Sequence, residues 1–253
     1  MTISKEVWTN YIDGLETISE SVKKIVMKYI ETHDVDSEEG RATFIRYCYG
    51  LSTKYGEAAA EFACEMYDAI SALEGDYEPA EPAEPATYQD VAKAVNGTLK
   101  NLLRVEIAGA AIGRLVKLCG QDTTLQNAIR DKAYFAWIPV GDTCPFCLSI
   151  AAEGWKIATS KALAGGHAEH IHGNCNCAYS IKHKEDTNYD FYKPEVYQEI
   201  FANAEGSTEE EKLNSVRRMA YDENSAKIRA QKRSAYERSK LLESSEAEEI
   251  NVN

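Results

Sequence analysis

Apolar side chains near the amino end fall at Trp8, Tyr11, Ile12, Leu15, Ile18, Val22, Ile25, Val26, Tyr29 and Ile30. Steps of three and four residues put them on one stripe of an amphipathic helix. The run His33-Asp34-Val35-Asp36-Ser37 breaks the stripe and can cap the next element. A second helical pattern follows through Phe44, Tyr47, Cys48, Leu51, Tyr55, Ala59, Phe62, Ala63, Met66, Tyr67, Ile70 and Leu73. Gly50 and Gly56 are points where this helix can loosen or kink. Residues 1–74 are therefore expected to form an antiparallel helical hairpin. Its aromatic residues have few cations between them, so they are read as core and not as a base-stacking surface.

Proline then recurs at 79, 82 and 85, interleaved with Glu78, Glu81 and Glu84. That period suits polyproline II, and the charges repel one another, so residues 75–87 are expected to be an exposed linker. Thr87-x-x-Asp90 opens another helix in capping-box style. Its stripe continues through Val91, Val95, Leu99, Leu102 and Leu103. The stretch from Gly109 to Gly113 allows close helix packing or a short break, Gly120 suggests a stop, and Asp122 starts a short helix through Ile129. Residues 88–133 are thus a helical segment.

The periodicity changes at Tyr134. Tyr134 to Val140 (YFAWIPV) has the character of a strand, which Pro139 ends or confines to an edge. Cys177 to Ile181 is its natural partner, and Leu148, Ile150 and Trp155 suit a short helix packed nearby. Residues 134–203 thus form a small α+β module. Beyond it, Ser207-x-x-Glu210 can cap a long helix reaching about Leu242, followed by an acidic tail, all within residues 204–253. The expected fold is mainly α: a helical hairpin or bundle body, a small α+β module and a long carboxyl-terminal helix.

With 253 residues and 44% apolar side chains, the chain can bury a real core. Its net charge of −13 argues against a protein coated in nucleic acid, since phosphate contacts need Lys and Arg. The charge is uneven, however. Lys212 to Lys240 holds nine Lys or Arg against three Asp or Glu, a local +6 that leaves −19 elsewhere. DNA contact through this strip is one reading, and a solvated surface helix is the other. No stretch approaches the length of a membrane span, and Lys5 and Glu6 precede an amphipathic pattern and not a leader-type apolar block.

The candidate chemistry lies between Cys144 and Cys177. This window reads CPFC, an interval, then HGNCNC, and holds four of the seven cysteines and three of the five histidines. Thiolate and imidazole donors on two short hooks are what a tetrahedral zinc ion requires. Five donors compete for four places: Cys144, Cys147 and His172, with Cys175 or Cys177 completing the set. An extended residue between Cys175 and Cys177 points them to opposite sides, so both can serve only if the backbone kinks. His167 and His170 are further candidates. A closed four-ligand site staples and does not catalyse, so no enzymatic activity is expected.

Cys144 and Cys147 alone also suit a thiol-disulfide oxidoreductase, but that leaves the second hook unexplained. A zinc deaminase needs its His-x-Glu before the cysteine pair, whereas His167-Ala168-Glu169 follows it. An odd cysteine count with four clustered favours a reducing compartment. Cys48, Cys64 and Cys119 lie among apolar residues as core fillers.

The segment WIPVGDTCPFC (137–147), the following Gly154-Trp155 and the closing HGNCNC (172–177) together resemble the minor head proteins of tailed phages, the Mu F-like group. GQDTTLQNAIR (120–130) and the helix around Tyr55 to Tyr67 are similar to its actinobacterial-phage branch. The resemblance spans roughly residues 40–182 and departs at Gly173, where the family often has Pro or Asp. It implies a structural minor capsid protein made in the host cytoplasm and incorporated into the virion near the portal. Its partners would be the portal and/or the major capsid protein, with no membrane and no small-molecule substrate. Two other functions compete: a Cys144/Cys147 redox enzyme, and a zinc-containing protein that binds DNA through Lys212–Lys240.

Overall fold

The computed structural model describes residues 2–98, 105–141, 143–160, 177–220 and 233. The fold is mainly α. Helices α1 (Lys5–Thr32) and α2 (Glu38–Glu74) pack as the expected hairpin. The turn between them is built by short polar side chains. Asp34 Oδ1 accepts the Asp36 and Ser37 N–H groups, and the Ser37 hydroxyl accepts Gly40 N–H at 3.1 Å, the bond that starts α2. Trp8, Tyr11, Ile12, Leu15, Val22 and Val26 form the buried stripe of α1. Helix α2 runs unbroken through Gly50 and Gly56. A Cβ on Gly56 would lie 3.2 Å from Pro85 Cβ, so the glycine admits a neighbouring segment and does not weaken the helix locally.

Helix α3 (Tyr88–Thr98) opens with the predicted capping pair: the Thr87 hydroxyl donates to Asp90 Oδ2 at 2.6 Å and accepts Asp90 N–H. Helix α4 (Val105–Arg130) overturns the expected stop at Gly120, because it continues through Gly109, Gly113 and Gly120. Each glycine marks a close approach. A Cβ would sit 3.0 Å from the Lys23 carbonyl oxygen at 109, 2.8 Å from Ser19 Oγ at 113, and 2.9 Å from the Ala59 carbonyl oxygen at 120. Their small size lets α4 lie against both α1 and α2.

Residues 75–87 are not a free spacer. Ala80 N–H donates to Asp68, Glu81 N–H to Asn127 and Ala83 N–H to Thr123. Asn127 and Gln126 donate back to the Glu81 carbonyl, and Arg130 donates to the carbonyls of Glu78 and Pro79. An extended backbone without internal hydrogen bonds leaves its amides free, and side chains of α2 and α4 take them up. The segment is a strap.

Strand β2 (Tyr134–Ile138) is the centre of a three-stranded sheet, with β3 (Lys156–Ile157) on one side and β4 (Ala178–Lys182) on the other, both antiparallel. Pro139 therefore ends the strand and does not confine it to an edge. Two short strands unmarked by periodicity, β1 (Thr2–Ile3) and β5 (Asn188–Tyr189), pair in parallel and tie the amino end to the region after β4. Between the sheet strands lies α5 (Pro145–Ala152), and α6 (Pro194–Ala202) packs on it. Residues 209–220 are helical and begin one residue later than the sequence suggests: Glu211 accepts from the Ser207 and Thr208 backbone, and Thr208 Oγ1 accepts Glu211 N–H. One contiguous core links α1, α2 and α4 to β2, β4 and Tyr192.

Candidate metal centre

The antiparallel register Ile138↔Ala178 places the residues leaving β2 beside those entering β4. The first cysteine hook leaves one strand and the second enters the other, so both start at the same end of the sheet. After β2, Gly141 takes a left-handed conformation (φ 63°) and turns the chain toward α5. Cys144 is the N-cap of that helix and Pro145 begins it, a position that costs proline nothing. The Cys144 carbonyl accepts Leu148 N–H at 3.1 Å, and the thiol is half-buried. Cys147 lies in the first turn of α5 and is 1% exposed.

Cys177 immediately precedes β4 and is 2% exposed. Its sulfur accepts Val140 N–H at 3.4 Å and lies 3.8 Å from Thr143 Oγ1. Gln121 of α4 donates to its carbonyl at 3.2 Å. The second hook's last cysteine is thus seated on the turn that leads into the first hook. Cys144, Cys147 and Cys177 are all described. His172 and Cys175, with His167 and His170, lie outside the described residues. Among the described residues no three His, Cys, Asp or Glu side chains form a metal-sized group.

The family model described as VG15 protein matches residues 2–204. This chain belongs to the VG15 family. It is therefore a viral, phage gene product. No curated protein and no solved structure matches the chain. The VG15 match takes in every element from β1 to α6 and both cysteine hooks, and it stops before the basic strip. No helix among the described residues of this VG15 protein is long and apolar enough to cross a membrane.

The three other cysteines are buried, and burial pushes the Cys48 thiol up to about 12, Cys64 to about 11 and Cys119 to about 12. Neutral thiols of this kind are poor nucleophiles and poor ligands, as expected of core fillers.

Sequence reasoning missed the polar anchor behind the sheet. Glu74 is 3% exposed at the end of α2, where its carboxylate accepts His183 N–H at 2.7 Å, Lys184 N–H at 3.2 Å and the Thr187 hydroxyl. Lys182 Nζ donates to the carbonyls of Glu185 (2.6 Å) and Thr187 (3.0 Å), and its cation lies over Trp155 and Tyr134. His183 bonds Ser71 Oγ through Nε2 at 2.7 Å and stacks on Tyr77. One signal was visible: Glu74 follows Tyr67 and Ile70 at helical spacing, a carboxylate on the buried stripe.

Proposed function

We propose that this VG15-family chain is a structural minor capsid protein of a tailed bacteriophage, active in head assembly near the portal. Its hooks would hold one structural zinc ion through Cys144, Cys147, His172 and either Cys175 or Cys177. The observation that carries the reading is the Cys177 sulfur seated on Val140 N–H beside Thr143, at the entry to the Cys144 hook. Zinc bound there would add its binding free energy to folding. Family membership supports the phage context. Contact with the portal and/or the major capsid protein follows from that context.

Metal analysis of purified protein tests the site. One zinc per chain is expected, lost in the Cys144→Ser/Cys147→Ser variant, with a lower Tm in chelator. Metal-free protein whose stability ignores chelator would sink the zinc reading. Detecting the chain in purified heads at low copy number, beside the portal, tests the role. Its absence from mature and immature particles would overturn it.

A second reading has one observation in its favour. Cys144 stands at the N-terminus of α5 with Cys147 within the first turn, a position that favours thiolate at the first cysteine. Disulfide exchange in a standard insulin-reduction assay would favour that enzyme over the staple.

A further inference from the structure

We propose that the groove between the strap, α3 and α4 receives the basic carboxyl-terminal strip of a second copy of this chain, in a head-to-tail contact. The groove has a volume of about 750 Å³. Its floor is apolar, formed by Pro85, Ala94, Leu115 and Leu118, and Glu84 and Asp122 stand along it. The two cations of the lining are Lys93, which is paired with Asp90 at 3.8 Å, and Arg114. Desolvation pushes the Asp122 carboxyl up to about 6, and an incoming cation would favour its ionised form. An apolar floor with acids beside it fits a segment that carries apolar and cationic side chains together.

The chain has one such segment. Lys212 to Lys240 holds nine Lys or Arg against three acids, while the rest of the chain carries −19. Its described beginning is helical, and Arg217, Arg218 and Met219 are exposed there, two guanidinium groups beside a flexible apolar side chain that is 46% exposed. Copies with so acidic a body repel one another unless this strip is set against the acids. Groove and strip are different surfaces of one chain, so the contact is heterologous and leaves each copy one surface open for the next. Electrostatic pairing of this type is screened by salt. The inference does not depend on the zinc reading.

Sedimentation velocity on the full chain, over a range of protein concentration at low and high ionic strength, tests it. Association that grows with concentration and is reversed by salt is expected. Glu84→Lys/Asp122→Lys, which breaks the groove, and Arg217→Glu/Arg218→Glu, which breaks the strip, are each expected to weaken self-association about tenfold or more. Circular dichroism and melting confirm that both variants fold. Mixed together, the two retain one intact groove and one intact strip between them, so they should form a 1:1 dimer that neither forms alone. Monomer under every condition overturns the proposal, as does association that survives both variants. A salt-sensitive compaction independent of concentration, which would put the strip on its own body, overturns it too. So does a strip variant that loses DNA binding while self-association is unchanged.

Discussion

The helical body and the sheet-bearing region share one apolar core, and the seam with the sheet adds buried polar anchors to it. In the body, α4 presses on α1 and α2 through Val22, Val26, Ile112 and Val116, with glycines allowing backbone-level approach. Many small apolar contacts share that load, and each buried side chain contributes about 1.5–3 kcal/mol. The sheet region shares that apolar core through Trp137, Ile138, Tyr179 and Ile181, and a few polar anchors fix its turns against the body. Glu74 holds the turn after β4, and Gln121 holds the Cys177 carbonyl. The difference teaches where each region is vulnerable. Distributed packing degrades gradually, whereas a buried carboxylate with three donors fails as a unit.

The largest effect should come from Glu74→Ala, which strands the Thr187 hydroxyl and the N–H groups of His183 and Lys184. A loss of about 3 kcal/mol is expected in urea unfolding. Amide exchange should rise in residues 182–189 well before α1; equal acceleration in both would contradict the anchor picture. Gly113→Val attacks the body instead, driving a side chain into Ser19, and should cost about 2 kcal/mol with global loosening of the α1–α4 contact. A change below about 0.5 kcal/mol would mean that the approach is not tight.

Asn127→Ala tests the strap, which lies on α2 and α4 of the body. It removes the acceptor for Glu81 N–H and a donor to the Glu81 carbonyl, so about 1 kcal/mol should be lost. Limited proteolysis should then cut near Glu81 before the helices are attacked. A strap as resistant as in the parent would assign its order to other contacts.

The smallest effect is the pH response of the anchor. Burial holds the His183 imidazole below the ordinary histidine range; Glu74 and Asp131 pull it upward, while Arg130 and Lys184 oppose them. Its Nδ1 is buried without a hydrogen-bond partner, so an added proton there has no acceptor. The unfolded chain takes up that proton as pH falls through about 6.5, and the folded chain resists. His183 therefore costs stability as pH drops below that value, and the cost levels off below the folded pKa. Urea midpoints at neutral and mildly acidic pH should show less decline in His183→Gln than in the parent. Parallel declines would exclude His183 as the source.

The stripes of α1 and α2 were legible because burying one face of a helix forces a period near 3.6 on the sequence. The caps at Ser37 and Thr87 were legible because their partners are three residues away. The β2–β4 pairing was legible from two apolar runs flanking the cysteine hooks. Gly120 misled because a glycine at a helix crossing and a glycine at a helix end look alike in one dimension. The strap misled for a related reason: polyproline II leaves its amides unpaired, and whether water or Asn127 satisfies them depends on a helix some forty residues away. Residues in contact through sequence neighbours leave a local pattern, so the chain by itself determined its helices, their caps and the placing of the cysteines on two hooks. Contacts such as Glu74 with Thr187, or Cys177 with Val140, join distant residues with no period to betray them, and only the tertiary structure decided those.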